Sequence, residues 1–416
     1  MNQADSDILS ALILDNASYE LTQDEDESEV VVLNTCTVKG ATENKIIEQI
    51  KRLQLIGKKI VVAGCLTANK DKIRKFAPNA SIIGTSSLQF ICNAIDDAIA
   101  GRATEYLRNH PKDQLPKILQ VPIMRIPINE GCISSCNFCQ TKLARPFLSS
   151  YSPKTIVKWI NKSVANGARE IQLTSMDTGA YGLDIKTNLI ELLDLIINDD
   201  SSTKIDKEFF IRIGMLNPAH VKKMLPDIIR ILKDKHFYKF IHIPVQTGSE
   251  KVCREMNRDH TVKDFIDIVD ALRKSIPEIM ISTDIIVGYP TETKKDFKET
   301  LNLLRKTNPD IINLSKFSAR PGTKAKELKQ LHNDEIKKRS TEATELVKKI
   351  TEERKKRYVG KEYRVYIMED DPDPKGRNIN YQQVVVKNFK GELGDFVEVK
   401  IVDANHGSLF GEPLHK

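Results

Sequence analysis

The sequence predicts an α/β chain in three parts: a flavodoxin-like, doubly wound N-terminal domain, a six-unit (βα) partial barrel, and a small antiparallel β-barrel at the C-terminus. Three observations predict it. Short β-branched runs alternate with helical spacing at the start, six longer βα repeats follow, and the chain then changes to short strands divided by Gly, Pro and Asp. With 416 residues the chain exceeds one ordinary core. The expected domains are residues 1–105, 118–358 and 359–416.

In chain order, residues 29–35 (EVVVLNT) form a continuous apolar run and residues 42–55 carry helical spacing. Residues 59–63 (KIVVA) and 81–83 read as further buried strands, and 87–100 as a helix. Such runs separated by helices mark a parallel sheet covered on both faces. The polar, Pro-containing stretch 101–120 reads as a linker. Beyond it, strands are predicted at 122–128, 170–174, 208–214, 240–245, 279–287 and 311–317. Helices are predicted at 153–166, 188–197, 219–233, 262–275 and 294–306. A parallel barrel places its chemistry at the carboxyl ends of its strands. A charged helix is expected over 334–357, before the short β runs 363–368, 382–386, 396–402 and 407–411.

Hydrophobic residues make up 40% and charged residues 29%, the balance of a globular chain rather than a disordered one. No run of about 18 apolar residues exists, so no membrane partner is expected. The opening MNQADSDILS has no basic region followed by an apolar core, which predicts a cytoplasmic protein. The excess of 64 basic over 57 acidic residues is compatible with a nucleic-acid partner without requiring one. Seven cysteines, an odd number, argue for metal or catalytic use and against a disulfide framework.

Residues 131–139 (GCISSCNFC) place Cys132, Cys136 and Cys139 on one loop after the first barrel strand. Cubic 4Fe–4S clusters are normally held by four cysteines, so three leave one iron open to a small molecule. Phe138 would shield such a cluster from water. The plain alternatives are merely buried thiols or structural zinc, which wants a fourth Cys or His that is not nearby in sequence. Cys36 and Cys65 each end an apolar strand (VVVLNTC, VVAGC), where open α/β sheets place ligands. Small buried thiols are the alternative there.

The C-x3-C-x2-C spacing, with an aromatic before the third cysteine, resembles the radical S-adenosylmethionine superfamily. The resemblance implies that the open iron chelates S-adenosylmethionine and that an electron from the cluster splits it to a 5′-deoxyadenosyl radical. MNQADSD, NTCTVKGATENK and AGCL resemble the N-terminal domain of the methylthiotransferases. In that family three cysteines of this domain hold a second 4Fe–4S cluster that serves sulfur delivery, which makes Cys36 and Cys65 two of its metal ligands. The family's first cysteine precedes an N-x-x-D-S-[DE] stretch, here residues 2–7, with nothing upstream. The expectation is therefore an upstream start encoding an apolar strand that ends in cysteine, or else an incompletely ligated second cluster. Cys92 and Cys253 match no family ligand and read as ordinary thiols.

Residues 171–182 (IQLTSMDTGAYG) resemble the family's second-strand segment. Asp177 there either approaches the cofactor's amino group or caps the following helix. Residues 213–218 (IGMLNP) resemble the third-strand motif of the archaeal and eukaryotic branch. Residues 242–250 (HIPVQTGSE) with Met256, Asn257 and Arg258 match a further block. It implies Gln246 and Ser249 at a strand end facing the cofactor, with Arg258 pairing its carboxylate. In residues 282–290 (STDIIVGYP), Gly288 permits backbone close to the adenine. Arg320, in a closing SARPGT motif, would meet RNA phosphate, the cofactor or a structural ion pair. Residues 359–416 resemble a TRAM domain, a barrel that binds RNA by stacking and backbone contacts.

Together the resemblance implies a tRNA methylthiotransferase that converts N6-threonylcarbamoyladenosine 3′ of the anticodon to its 2-methylthio derivative. Alternatives are isopentenyladenosine in tRNA, a ribosomal-protein aspartate, or a catalytically inactive RNA-binding role. An electron donor protein of flavodoxin or ferredoxin type is also implied. Removing the residues after 361 is expected to weaken tRNA binding and leave cofactor cleavage intact.

Overall fold

A computed structural model gives the fold and describes residues 1–37, 40–108, 110–198, 208–370 and 373–414. Residues 38 and 39 of the NTCTVKGATENK motif and residue 109 of the expected linker lie outside the described residues. Val30–Thr35, Lys59–Gly64, Ser81–Ile83 and Glu105–Tyr106 form a parallel four-stranded sheet in sequence order. Consecutive strand side chains point to opposite faces. Val61 and Ile83 therefore pack with Ile8, Ile91 and Ile95 of helices Asn2–Leu14 and Ile91–Ile99. Val62 and Ile82 pack with Ile47, Ile50 and Ile73 of helices Gly40–Leu55 and Lys70–Phe76. Helices thus cover both faces.

The stretch expected as a linker is a packed strap. Glu105–Tyr106 extends the sheet, and Lys112 and Lys117 are buried. Polar composition misled here because each lysine meets a buried carboxylate, Lys112 on Asp5 and Glu130, Lys117 on Asp7. Paired charge is what admits a lysine to the interior.

Ile123–Pro127, Glu170–Thr174 and Phe210–Arg212 form one parallel sheet, and Phe240–His242, Met280–Val287 and Ile311–Lys316 another. A bridge between Ile211 and Phe237 joins them, so the six units curve as an open partial barrel. The expected helix over 219–233 is two, Pro218–Lys223 and Leu225–Lys233, because Pro226 lacks the N–H a continuous helix would use. Helices Val262–Ser275 and Lys294–Thr307 begin on capping boxes, Thr261 with Asp264 and Thr293 with Asp296. The long helix Asn333–Lys356 packs on the last strand and leads into the terminal barrel.

Glu362–Glu369, Lys375–Arg377, Gln383–Val386, Leu409–Pro413 and Phe396–Ala404 close that barrel. It is not wholly antiparallel. Gln383–Val386 and Leu409–Pro413 pair in parallel, because one strand, Phe396–Ala404, reverses the chain between them. Nor does it stand free. The Tyr381 ring lies 4.9 Å from that of Tyr238 and 4.6 Å from that of Phe240, beneath the starts of the barrel strands. Phe396 contacts Phe210 at 6.0 Å, and Lys239 donates its backbone N–H to Ile379 at 2.9 Å. These rings form an interdomain joint.

Candidate active site

The cysteine loop is fixed at both ends by backbone geometry. Asn129–Glu130 pairs with Ser149–Ser150. Between them Gly131 has φ +74°, and a Cβ there would lie 1.9 Å from the Phe147 carbonyl oxygen, so only glycine lets the arms of the loop approach this closely. The loop is then stitched to residues that follow the fourth strand. Arg258 donates Nη1–H to Cys136 Sγ at 3.1 Å and Nη2–H to the Pro244 carbonyl at 3.1 Å. Asn257 Nδ2 donates to both the carbonyl and the hydroxyl of Ser135 at 2.8 Å. Asn137 Nδ2 donates to the Glu255 carbonyl at 2.8 Å, and Ser134 donates to Asp259 at 2.8 Å. Lys142 caps the Cys132 carbonyl.

All three thiols are half-buried. Burial pushes the Cys132 thiol up, and nearby Asp177 adds to that. Burial also pushes Cys136 up, but the Arg258 guanidinium opposes it, which favours the thiolate that ligates metal. Among the described residues no three Cys, His, Asp or Glu side chains are gathered closely enough to hold a single ion. Iron–sulfur clusters are held by cysteine thiolates. Three accessible thiols on one ordered loop, one already accepting an N–H bond, fit that donor set.

Cys36 and Cys65 directly follow the paired residues Thr35 and Gly64, so they leave adjacent strand ends side by side. Gly64 has φ +87°, and a Cβ would lie 2.4 Å from the Thr35 carbonyl oxygen. Two arginines of the barrel domain reach these loops. Arg320 donates to the Thr37 carbonyl at 2.7 Å and pairs with buried Glu43. Of the open readings of Arg320, this is the structural ion pair. Arg145 bonds Asp5 and Glu130 and also reaches Cys65, whose thiol burial raises and Arg145 lowers. Burial pushes the Asp5 carboxyl up, yet Arg145 and Lys112 overrule it and hold it at about 2. These arginines clamp the sheet edge bearing Cys36 and Cys65 onto the loop bearing Cys132. Sequence reading missed Arg145, because its partners lie far along the chain. Cys92 donates to the Leu12 carbonyl at 3.6 Å, and Cys253 donates to that of His260 at 3.2 Å, with its own carbonyl accepting the Arg258 backbone N–H at 3.1 Å.

The other expected cofactor contacts fall in two groups. Phe138 packs on Val252, Met256 and Tyr289, and Gln246 takes φ +73°, a backbone strain that concentrates at functional sites. Asp177, Ser249 and Gly288 have structural partners within the fold. Asp177 accepts from the N–H groups of Gly179 and Asn217, at 3.1 and 3.0 Å, and lies 3.4 Å from His220 Nδ1. Asp177 thus caps the turn at 178–180, while its Oδ2 is buried without a hydrogen bond. Ser249 donates to Asp296 at 2.6 Å. Gly288 has φ +80°, and a Cβ would meet Ile336 Cγ1 at 2.8 Å.

Beside Arg258, buried His260 gives a test in solution. Burial first, then Arg258, lowers its imidazole to about 4, with Asp264 and Asp259 pulling the other way. Unfolded histidine titrates near 6.5. A lowered folded pKa means the unfolded chain binds the proton first, so stability falls as pH drops from 6.5 towards 4. Thermal melts at pH 7.5 and 5 should show the parent losing about 2 kcal/mol more than His260→Gln. Equal losses would show that His260 carries its proton in the fold.

Residues 126–304 match the Radical SAM superfamily, residues 356–414 the TRAM domain, and residues 1–84 a family described as Uncharacterized protein family UPF0004. A probable threonylcarbamoyladenosine tRNA methylthiotransferase from Archaeoglobus fulgidus is 40% identical over 99% of this chain and 96% of its own. The chain belongs to the threonylcarbamoyladenosine tRNA methylthiotransferase family. The family member from Drosophila melanogaster is 34% identical, over 99% of this chain and 76% of that one. In fold, the chain is similar to a radical S-adenosylmethionine methyltransferase, TsrM, from Kitasatospora setae. The TM-score is 0.52 at 13% identity, over 71% of this chain and 65% of that one. As a radical SAM enzyme the chain uses S-adenosylmethionine and an iron–sulfur cluster. No described helix is long and apolar enough to cross a membrane.

Proposed function

We propose that this enzyme places a methylthio group on C2 of N6-threonylcarbamoyladenosine, 3′ of the anticodon in tRNA. One observation carries the reading. Two cysteine loops, one on the barrel and one on the N-terminal sheet edge, are clamped together by Arg145 and Arg320 within a chain akin to this family over its whole length. An aromatic C–H resists acid–base catalysis, so the bound cluster and S-adenosylmethionine supply radical chemistry for it.

The chain's own residues order that chemistry. Cys132, Cys136 and Cys139 hold the cluster, with Arg258 fixing the Cys136 sulfur through its N–H bond. Phe138, Met256 and Tyr289 exclude water behind the loop. Gln246 and Arg258 face the cofactor. Cys36 and Cys65 would be two ligands of a second 4Fe–4S cluster, which would supply sulfur, and the clamp keeps them within reach of the barrel mouth. A flavodoxin- or ferredoxin-type protein supplies the electron. Mass spectrometry of tRNA nucleosides from cells with and without the gene tests the reading. The 2-methylthio derivative of N6-threonylcarbamoyladenosine should vanish on deletion. Loss of 2-methylthio-isopentenyladenosine instead would move the assignment to that nucleoside.

A further inference from the structure

Among the described residues, one aromatic ring stands in solvent: Phe147, 71% exposed. Every other described Phe, Tyr and Trp is buried or half-buried. One exposed ring is ordinary in itself; exposed apolar residues gathered at a cavity mouth mark a binding surface. Its place is specific. Phe147 lies on the arm returning from the cysteine loop, with its carbonyl packed against Gly131. It forms the lip of a cavity of about 540 Å³ between that arm and the carboxyl edge of the N-terminal sheet, where open α/β sheets bind ligands. Exposed Leu107 and Leu143 line the same rim, together with exposed Arg108 and with Lys70. The deeper cations, Lys112 and Arg145, are already neutralised by Asp5 and Glu130.

Three rings of the terminal barrel are turned elsewhere. Tyr366, Tyr381 and Phe396 are packed among one another and against the barrel domain. A flat ring beside a guanidinium suits an unpaired base and its phosphate, the usual way single-stranded loops are held. A protein partner would need a far larger apolar area than Phe147, Leu107 and Leu143 provide, on the order of 800 Å² a side.

We propose that Phe147 stacks on an unpaired anticodon-loop base beside the target adenosine while Arg108 meets its phosphate, seating the RNA between the two cysteine loops. The proposal rests on the tRNA reading above and adds the surface that performs it. The test uses the full-length, anaerobically reconstituted enzyme and a tRNA bearing N6-threonylcarbamoyladenosine. Phe147→Ala should bind this tRNA roughly 5- to 150-fold more weakly, the range for losing one base–aromatic stack. Phe147→Trp should bind like the parent, and cofactor cleavage without RNA should match the parent in both variants. Arg108→Gln should lower the slope of log affinity against log salt by about one.

Parental affinity in Phe147→Ala overturns the proposal. So does a variant that binds tRNA normally but is reduced more slowly by a flavodoxin, since the ring would then dock a protein. Product formation by the parent, measured first, separates the two claims. A parent inert on this tRNA defeats the tRNA reading and this proposal with it, whereas an active parent matched by Phe147→Ala defeats this proposal alone.

Discussion

Cys136→Ala, reconstituted anaerobically with iron and sulfide, should lose the visible absorbance of the barrel cluster and form no 5′-deoxyadenosine. The effect is expected to be all or none. Cys136 is the middle thiol of the loop and the one that Arg258 bonds, so its removal leaves two thiols and a guanidinium facing an apolar gap. The fold itself should survive, because the loop is held by Asn137, Asn257 and Ser134 rather than by the sulfur. A parental melting temperature together with lost absorbance and lost cleavage is the expected set. Any iron held by Cys36 and Cys65 would leave residual absorbance, so a double variant, Cys36→Ala with Cys65→Ala, reads the barrel cluster by itself. Retention of cofactor cleavage by Cys136→Ala would remove this loop from the chemistry.

How much of this was legible in the sequence depended on how local each feature is. Three thiols within 132–139, after an apolar strand, announce themselves in one stretch of chain. So do the capping boxes at Thr261 and Thr293, where cap and partner are three residues apart. The clamp was invisible because Arg145 and Asp5 are 140 residues apart, and Arg320 and Glu43 are 277. Neither end has any local property that names the other. The stretch 101–120 was read as a linker because composition reports the charge of Lys112 and Lys117 and not its partner. Asp5 and Asp7 carried the usable signal: two carboxylates on the buried side of an otherwise apolar helix require cations from elsewhere.

The terminal barrel forms as its sequence predicts, but it is also packed into the catalytic barrel, and the largest stability effect is expected there. Read alone, Arg377, Tyr381 and the strands around them look like an RNA platform, which predicts that removing the residues after 361 spares cofactor cleavage. In the fold Tyr381 is instead the plug of the partial barrel. Its ring is flanked by Arg377 at 4.1 Å and Arg212 at 5.5 Å, and Gln172 Nε2 donates to its hydroxyl at 3.3 Å. Its backbone has φ +64°, costly for an aromatic residue, and is held by Asn378, whose side chain accepts the N–H groups of Asn380 and Gln382. Arg377 also lies 3.3 Å from Glu170, a fully buried carboxylate that Tyr238 bonds as well. Truncation would uncover Phe240, Met280 and Tyr238 and take from Glu170 the cation that pairs it. The truncated chain should therefore melt far below the parent or aggregate, and lose cofactor cleavage together with tRNA binding. Tyr381→Ala isolates the plug and should cost about 3–5 kcal/mol by chemical denaturation. Tyr381→Phe, which keeps the ring and gives up only the Gln172 bond, should cost about 1 kcal/mol. A truncated enzyme with parental melting and parental cofactor cleavage would return the terminal barrel to the role its sequence suggests, an RNA module that the catalytic barrel does not need.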